Sequence, residues 1–230
     1  MAIMNVILLA ICNNPPIFDV VSKYNIFPHA NVIEHNYDII RTEYLRYENL
    51  YQQTIQCTFN QTPAFKIGAK RDNDQCWRMI MLKKTGKFTS EALNNFSITC
   101  KICDHPLVHN AFFSILDPKV NIPSHIGYYK GYLRYHLGVI IPEENGKMPY
   151  IDVGGQRYFW QNGAGVLFDD MYYHFVENPT NQRRVVLYID IIRPLDGVIG
   201  SLNRFTIGCI ERNPFVKYFI SRQHQQKRLT

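Results

Sequence analysis

Between residues 111 and 194 the sequence sets charged and titrating side chains inside short, strand-like apolar runs, and few folds tolerate that arrangement. The runs at 133–141, 150–153, 157–160, 165–168 and 184–192 are rich in β-branched and aromatic residues, and Gly, Pro and Asn clusters separate them at short intervals. Many short strands with such punctuation predict an antiparallel sandwich or barrel of the jelly-roll type. Into these runs the chain places His125, Arg134, His136, His174 and Arg184, each flanked by apolar neighbours. A charged group is normally excluded from such surroundings, so the set points to a site.

A chain of 230 residues is long enough for one well-buried domain with additions. A hydrophobic fraction of 46% with 13% aromatics excludes a disordered chain. The net charge of +6 suits an anionic substrate or cofactor. Away from the tail residues Arg222, Lys227 and Arg228, no basic stripe is interleaved with aromatics, so nucleic acid is not an expected partner. The six cysteines are scattered instead of dense, which predicts reduced thiols. The apolar run at 7–11 lacks a basic lead and a cleavage site, and is far too short to span a bilayer. These features lead to the expectation of a cytoplasmic or otherwise intracellular, soluble protein without a membrane span, acting on a protein or a small molecule.

Three regions follow. Residues 1–75 form a flanking segment, in which Tyr37, Ile40, Tyr44 and Leu45, with Tyr51 beyond, recur at helical spacing opposite Arg41, Glu43, Arg46 and Glu48. The segment 54–74, broken by Pro63 and Gly68, reads as mostly loop. Residues 76–194 hold the β domain, with a strand expected at 77–82 and a short helix at 89–95. Residues 195–230 read as a covering helical extension that ends in a basic tail. Cys100 and Cys103 form a CxxC followed by His105 and His109, which invites a zinc reading. Structural zinc sites usually space their second ligand pair further away, and a buried cysteine pair explains the motif as well.

His125 opens an H-x-G, and His174 follows several strands later in FDDMYYH. Two imidazoles on facing strands suit Fe(II), although two histidines in a sheet are also ordinary packed residues. The usual triad carboxylate would stand at Gly127. Arg134 and His136 lie two apart on one strand and therefore share a face. Arg184 offers a planar fork suited to a carboxylate, and a register slip of one would put Arg183 in its place.

Taken together, His125-Ile-Gly127, YKGYLRYHLG at 129–138, FDDMYYH at 168–174 and RRVVLYIDIIRP at 183–194 resemble the catalytic domain of the aspartyl/asparaginyl β-hydroxylase family. The resemblance is continuous from about Phe112 to Pro194, is traceable back to Trp77, and is not readable before about Val32. It implies a mainly β fold, a double-stranded β-helix (jelly roll, cupin-like) with flanking N- and C-terminal helices. It also implies an enzyme, a dioxygenase that uses Fe(II), 2-oxoglutarate and O2 to hydroxylate an unactivated C–H bond. Members of the family have Gly in place of the triad carboxylate, in agreement with Gly127. By resemblance, His125 and His174 are the catalytic iron ligands. Arg184 with Ser114 binds the distal carboxylate of 2-oxoglutarate; Arg134, Tyr135 and His136 line its near side, and Trp77 stands beside it. Asp169 and Asp170 are given a turn and supporting role. The family acts on Asp or Asn residues of disulfide-bearing repeats, and its relatives on lipid acyl chains or amino-acid-like molecules. A non-catalytic jelly-roll binding protein is the rival reading, and the joint presence of both histidines and Arg184 argues against it.

Overall fold

Side chains alternate between the two faces of a strand, and the longest strands here find apolar partners on one face and the site on the other. The computed structural model describes residues 1–51 and 76–212. The strands are β1 (Trp77–Lys84), β2 (Lys87–Phe88), β3 (Val108–Leu116), β4 (Asn121–His125), β5 (Tyr132–Ile140), β6 (Tyr150–Val153), β7 (Gln156–Phe159), β8 (Gly165–Phe168), β9 (His174–Glu177) and β10 (Arg184–Ile192). Among the described residues they form two antiparallel sheets, a six-stranded one in the order β2-β1-β3-β10-β5-β8 and a four-stranded one in the order β4-β9-β6-β7. This is the expected mainly β jelly roll with flanking helices.

Strand β10 shows how the layers arise. Val185, Leu187, Ile189 and Ile191 join a core with Phe113, Ile115, Leu133, Tyr135 and Leu137 on the outer face of the large sheet. Helices α2 (Val20–Ile26), α3 (His29–His35) and α4 (Tyr37–Tyr51) close that face; Phe27 between α2 and α3, Ile33, Ile40 and Tyr44 belong to the same core. The alternate residues of β10 face the second sheet, where Val186 packs with Leu116, Ile151, Val153, Trp160, Val166, Phe168 and Val176. A third cluster joins α1 (Ala2–Ile11) to the C-terminal helix α7 (Gly197–Arg212) through Met4, Leu8, Ile207 and Ile210, resting on Tyr129 and Tyr132.

Two short helices, α5 (Ser90–Asn95) and α6 (Ser97–Ile102), follow β2. Helix α5 begins where Thr89 turns extended and its hydroxyl accepts from the Ala92 N–H at 3.1 Å. Helix α6 is capped from a distance: Glu43 of α4 accepts from the N–H groups of Ile98 (3.1 Å) and Thr99 (2.8 Å). Its carboxylate therefore serves the unpaired donors and positive end of that helix. Glu43 is buried, so its expected place on the polar side of α4 is corrected. Helical period gives the stripe, but a partner packed edge-on decides what that stripe covers.

The strands read at 150–153, 165–168 and 184–192 stand where expected, and those read at 133–141 and 157–160 begin one residue earlier. The segment 54–74 lies outside the described residues, as does the basic tail. Cys12, Cys100, Cys103 and Cys209 are free, but Cys76 is disulfide-bonded, which corrects the expectation that every cysteine is reduced. Scatter along the sequence does not measure distance in the fold. Among the described residues no group of three or more His, Cys, Asp or Glu is gathered as a metal site would require, the CxxC with His105 and His109 included. Cys100 and Cys103 are buried, and burial pushes the Cys100 thiol up to about 11 and Cys103 to about 12.

Candidate active site

His125 ends edge strand β4 and pairs in register with His174, the first residue of β9. Pro123 sits in β4 where the register shifts between Ile122 and His125, an edge position where its missing N–H costs no ladder bond. The two imidazole rings lie 4.0 Å apart, centre to centre. His125 Nδ1 is 2.8 Å from the Pro123 carbonyl and His174 Nδ1 is 2.9 Å from the Tyr172 carbonyl. A carbonyl only accepts, so each Nδ1 carries a proton, and Nε2 is the nitrogen that a neutral ring offers as a donor to a metal. Burial, then the neighbouring His125, pull His174 down to about 4, which keeps its ring neutral.

The position of Gly127 is governed by the residue above it. A Cβ placed there would land on the carboxyl group of Asp170, and the Gly127 N–H donates to the Asp170 carbonyl at 2.7 Å. Asp170 thus fills the space a side chain at 127 would need. Its Oδ2 accepts from Arg134 Nε (3.0 Å) and lies 2.8 Å from Arg134 Nη2. Arg134 Nη1 lies 2.7 Å from Asp190 Oδ1, in a contact bent away from hydrogen-bond geometry. Burial raises the Asp170 carboxyl even against Arg134. Asp169 is fully buried between Lys130 and Arg193, both 2.6 Å from its Oδ2, and its Oδ1 accepts from the Met171 N–H at 3.0 Å. Burial alone would raise the Asp169 carboxyl, but Arg193 and Lys130 outweigh it and hold it below the usual range.

On the inner face of the large sheet, register aligns β1, β3 and β10. Trp77 Nε1 donates to Ser114 Oγ at 2.8 Å, and Arg184 Nη1 lies 3.3 Å from the same oxygen. Arg184 is 1% exposed and has no carboxylate partner among the described residues, while its Nε makes no hydrogen bond there. Burial pulls the guanidinium down to about 9. Its charge stands 4.8 Å over the Trp160 ring. His136 completes the wall, enclosed by Trp160, Phe168 and Tyr188, with both ring nitrogens unpaired among the described residues. Burial first, then the Arg184 charge, drive His136 well below its ordinary value. Trp160 Nε1 also lacks a partner there.

Four buried nitrogen positions without partners, on Arg184, Trp160 and both sides of His136, therefore surround one site. Buried polar groups normally find partners, so this concentration marks a place where a polar ligand supplies them. A cation that no carboxylate among the described residues neutralises makes an anion the fitting ligand.

The fold brings together His125 with His174, and Trp77, Ser114, Arg184, His136 and Arg134 along the inner face. It does not bring Tyr135. That side chain points into the outer core, and its hydroxyl donates to Glu34 Oε1 at 2.9 Å. Tyr135 lies between Arg134 and His136, and strand alternation sends it the other way. Arg183 also faces outward, with Nε 3.1 Å from Asp117 and Nη1 3.2 Å from Glu48. Trp160 escaped the sequence reading of the site; as one of only two tryptophans, directly after a strand-like run, it carried a weak signal.

A sequence profile of the Aspartyl/Asparaginyl beta-hydroxylase family matches residues 34–194. The ornithine lipid ester-linked acyl 2-hydroxylase of Rhizobium tropici is 34% identical over 210 residues, 89% of this chain and 70% of that protein. The aspartyl/asparaginyl beta-hydroxylases of mouse and human are each 30% identical over 82 residues, 36% of this chain, and the match spans 11% and 10% of their length. A crystal structure of a Pseudomonas putida prolyl-4-hydroxylase aligns with 72% of this chain and 99% of its own, with 9% identity and a TM-score of 0.46. With its jelly roll and with a profile match across most of its length, the chain belongs to the aspartyl/asparaginyl β-hydroxylase family, a family of hydroxylases.

Proposed function

We propose that this chain is an Fe(II)- and 2-oxoglutarate-dependent hydroxylase whose substrate is a lipid acyl chain. The observation that carries the cofactor assignment is the buried Arg184, with no carboxylate partner among the described residues, beside nitrogens of His136 and Trp160 that are likewise without partners there. A dicarboxylate fits that donor set, and two imidazoles whose Nδ1 atoms are held by backbone carbonyls, leaving Nε2 to face a ligand, fit a ferrous ion.

His125 and His174 would hold the metal, their rings fixed by the carbonyls of Pro123 and Tyr172. When bound, iron with 2-oxoglutarate and O2 supplies the oxidising power for C–H hydroxylation, with succinate and CO2 as coproducts. Arg184 would take the distal carboxylate, with the Ser114 hydroxyl oriented by Trp77. Replacing solvent by the apolar wall of Val166, Phe168 and Val186 strengthens that charge pairing and keeps water from the reacting centre. Asp170 and Arg134 brace the turn that carries Gly127.

Among the substrate classes named for relatives, the acyl chain is favoured because similarity to the lipid hydroxylase extends over 89% of this chain, against 36% for the mouse and human proteins. This departs from the default of a cytoplasmic protein or small molecule. The test is anaerobic loading with Fe(II), then 2-oxoglutarate and O2 with detergent-dispersed aminolipid. Succinate release together with a hydroxylated acyl chain in mass spectra is the expected result. Succinate accelerated instead by Asp- or Asn-containing peptides would replace the substrate assignment, and no succinate from iron-loaded protein would overturn the cofactor assignment.

A further inference from the structure

Among the described residues, helices α1 and α7 each leave an apolar stripe uncovered. Each packs by one stripe, Met4 and Leu8 against Ile207 and Ile210. The opposite stripes, Ile3, Val6 and Leu9 on α1 and Val198, Leu202 and Phe205 on α7, are exposed, with Ile3, Val6, Val198 and Phe205 between 67% and 80% accessible. Single exposed apolar residues are ordinary, but two adjoining helices that both present such a stripe are a surface with a purpose.

The charges identify what fits that surface. Helix α1 contains no charged residue at all. Within α7 the charged residues are Arg204, Glu211 and Arg212, and Glu211 is turned inward onto buried His109, leaving the two exposed arginines. The sequence directly after α7, residues 213–230, contains Lys217, Arg222, Lys227 and Arg228 and no acidic residue. An apolar face whose exposed helix charges are Arg204 and Arg212, against the single exposed carboxylate of Asp196 before α7, complements an anionic lipid surface, where side chains enter the acyl boundary and arginines meet headgroup phosphates. Among the described residues no helix is long and apolar enough to cross a membrane, so the match is to a helix pair lying on the surface.

The helix pair is also anchored to the site. Asn5 of α1 accepts from the Lys130 N–H at 2.8 Å, and Asn203 of α7 accepts from the Tyr129 hydroxyl at 2.8 Å. Both partners lie on the segment that runs from His125 to β5, and Ile126 and Tyr128 of that segment are exposed. We propose that the α1/α7 pair is a docking face for an anionic lipid surface, which holds the acyl-bearing bilayer beside the hydroxylation site. The proposal takes its purpose from the lipid reading above, but its test does not depend on turnover.

The test is flotation of the full chain with vesicles of phosphatidylcholine alone or with phosphatidylglycerol, comparing wild type with a Val6→Glu/Leu9→Glu/Phe205→Glu variant and an Arg204→Gln/Arg212→Gln variant. All five positions are exposed, and none belongs to the proposed catalytic site. Wild type is expected to float with the anionic vesicles. The triple variant should lose about 100-fold or more in partitioning, because three apolar side chains no longer enter the bilayer. The arginine variant should lose binding to anionic vesicles and little to neutral ones. Equal flotation of all three proteins, or none for wild type, overturns the proposal. A wild-type dimer in light scattering that the triple variant converts to monomer, without vesicle binding, would assign the face to a second copy instead. Succinate release in detergent should be the same in all three, so a failure there is a failure of the enzymatic reading and not of the docking face.

Discussion

Arg184 is the most informative single residue, because burial makes its charge costly and no protein carboxylate offsets that cost among the described residues. Arg184→Lys keeps the charge and loses the fork, so 2-oxoglutarate affinity should fall by about 1–3 kcal/mol. Arg183→Lys changes an outward residue engaged with Asp117 and Glu48, and the affinity should stay within error of wild type. Competition binding with a 2-oxoglutarate analogue measures both, and the reverse pattern would mean that the inner face of β10 has been misassigned. The two histidines have no such redundancy. Under the proposed assignment, His125→Ala or His174→Ala removes one of the two proposed protein donors and should abolish Fe(II) binding in anaerobic calorimetry; near wild-type affinity in either would sink the metal assignment.

At the scale of the element, strand β5 carries two jobs on its two faces. Arg134 and His136 look inward to the site, and Tyr135 holds Glu34 in the layer of helices, where Lys23 reaches the same carboxylate at 2.7 Å. Tyr135→Phe should therefore cost about 1 kcal/mol of stability by denaturant unfolding, with cosubstrate affinity unchanged. A loss of affinity without a loss of stability would return Tyr135 to the site. The resemblance brought Tyr135 into the site as part of a motif segment. The pleat separates it from its neighbours, since alternate residues cannot face one pocket.

Across the whole molecule, acid stability should depend on Asp169, which joins β8 to the segments that carry Lys130 and Arg193. Its folded pKa lies below its unfolded one, so its contribution is complete above about pH 4, the unfolded value, and is lost as pH falls through the folded pKa. Asp170 is shifted the other way and gives the opposite slope, so substitution is needed to isolate Asp169. Urea midpoints measured from pH 6 to pH 3 should fall for wild type. Asp169→Asn should start several kcal/mol lower, because it strands two buried cations, and should show a flatter decline. An unchanged slope in the variant would assign the acid sensitivity to other carboxylates.

The sequence by itself determined the jelly roll, most strand positions and the family, and it named Trp77, Ser114, Arg134, His136 and Arg184 of the inner face. Period-two alternation and turn residues are local properties, and the motifs from His125 to Pro194 are contiguous enough to be read without a fold. The sequence also placed Arg184 ahead of Arg183, by resemblance. What it did not determine were the quantities set by neighbours distant in the chain. Only packing decided that Glu43 caps α6 instead of facing solvent, that Cys76 is disulfide-bonded, and that Tyr135 serves the outer layer. Only packing put Trp160 beneath the Arg184 guanidinium, and set Asp170 in the space that requires glycine at 127. Each of these depends on a distance across the fold between groups many residues apart, and neither periodicity nor composition encodes such a distance.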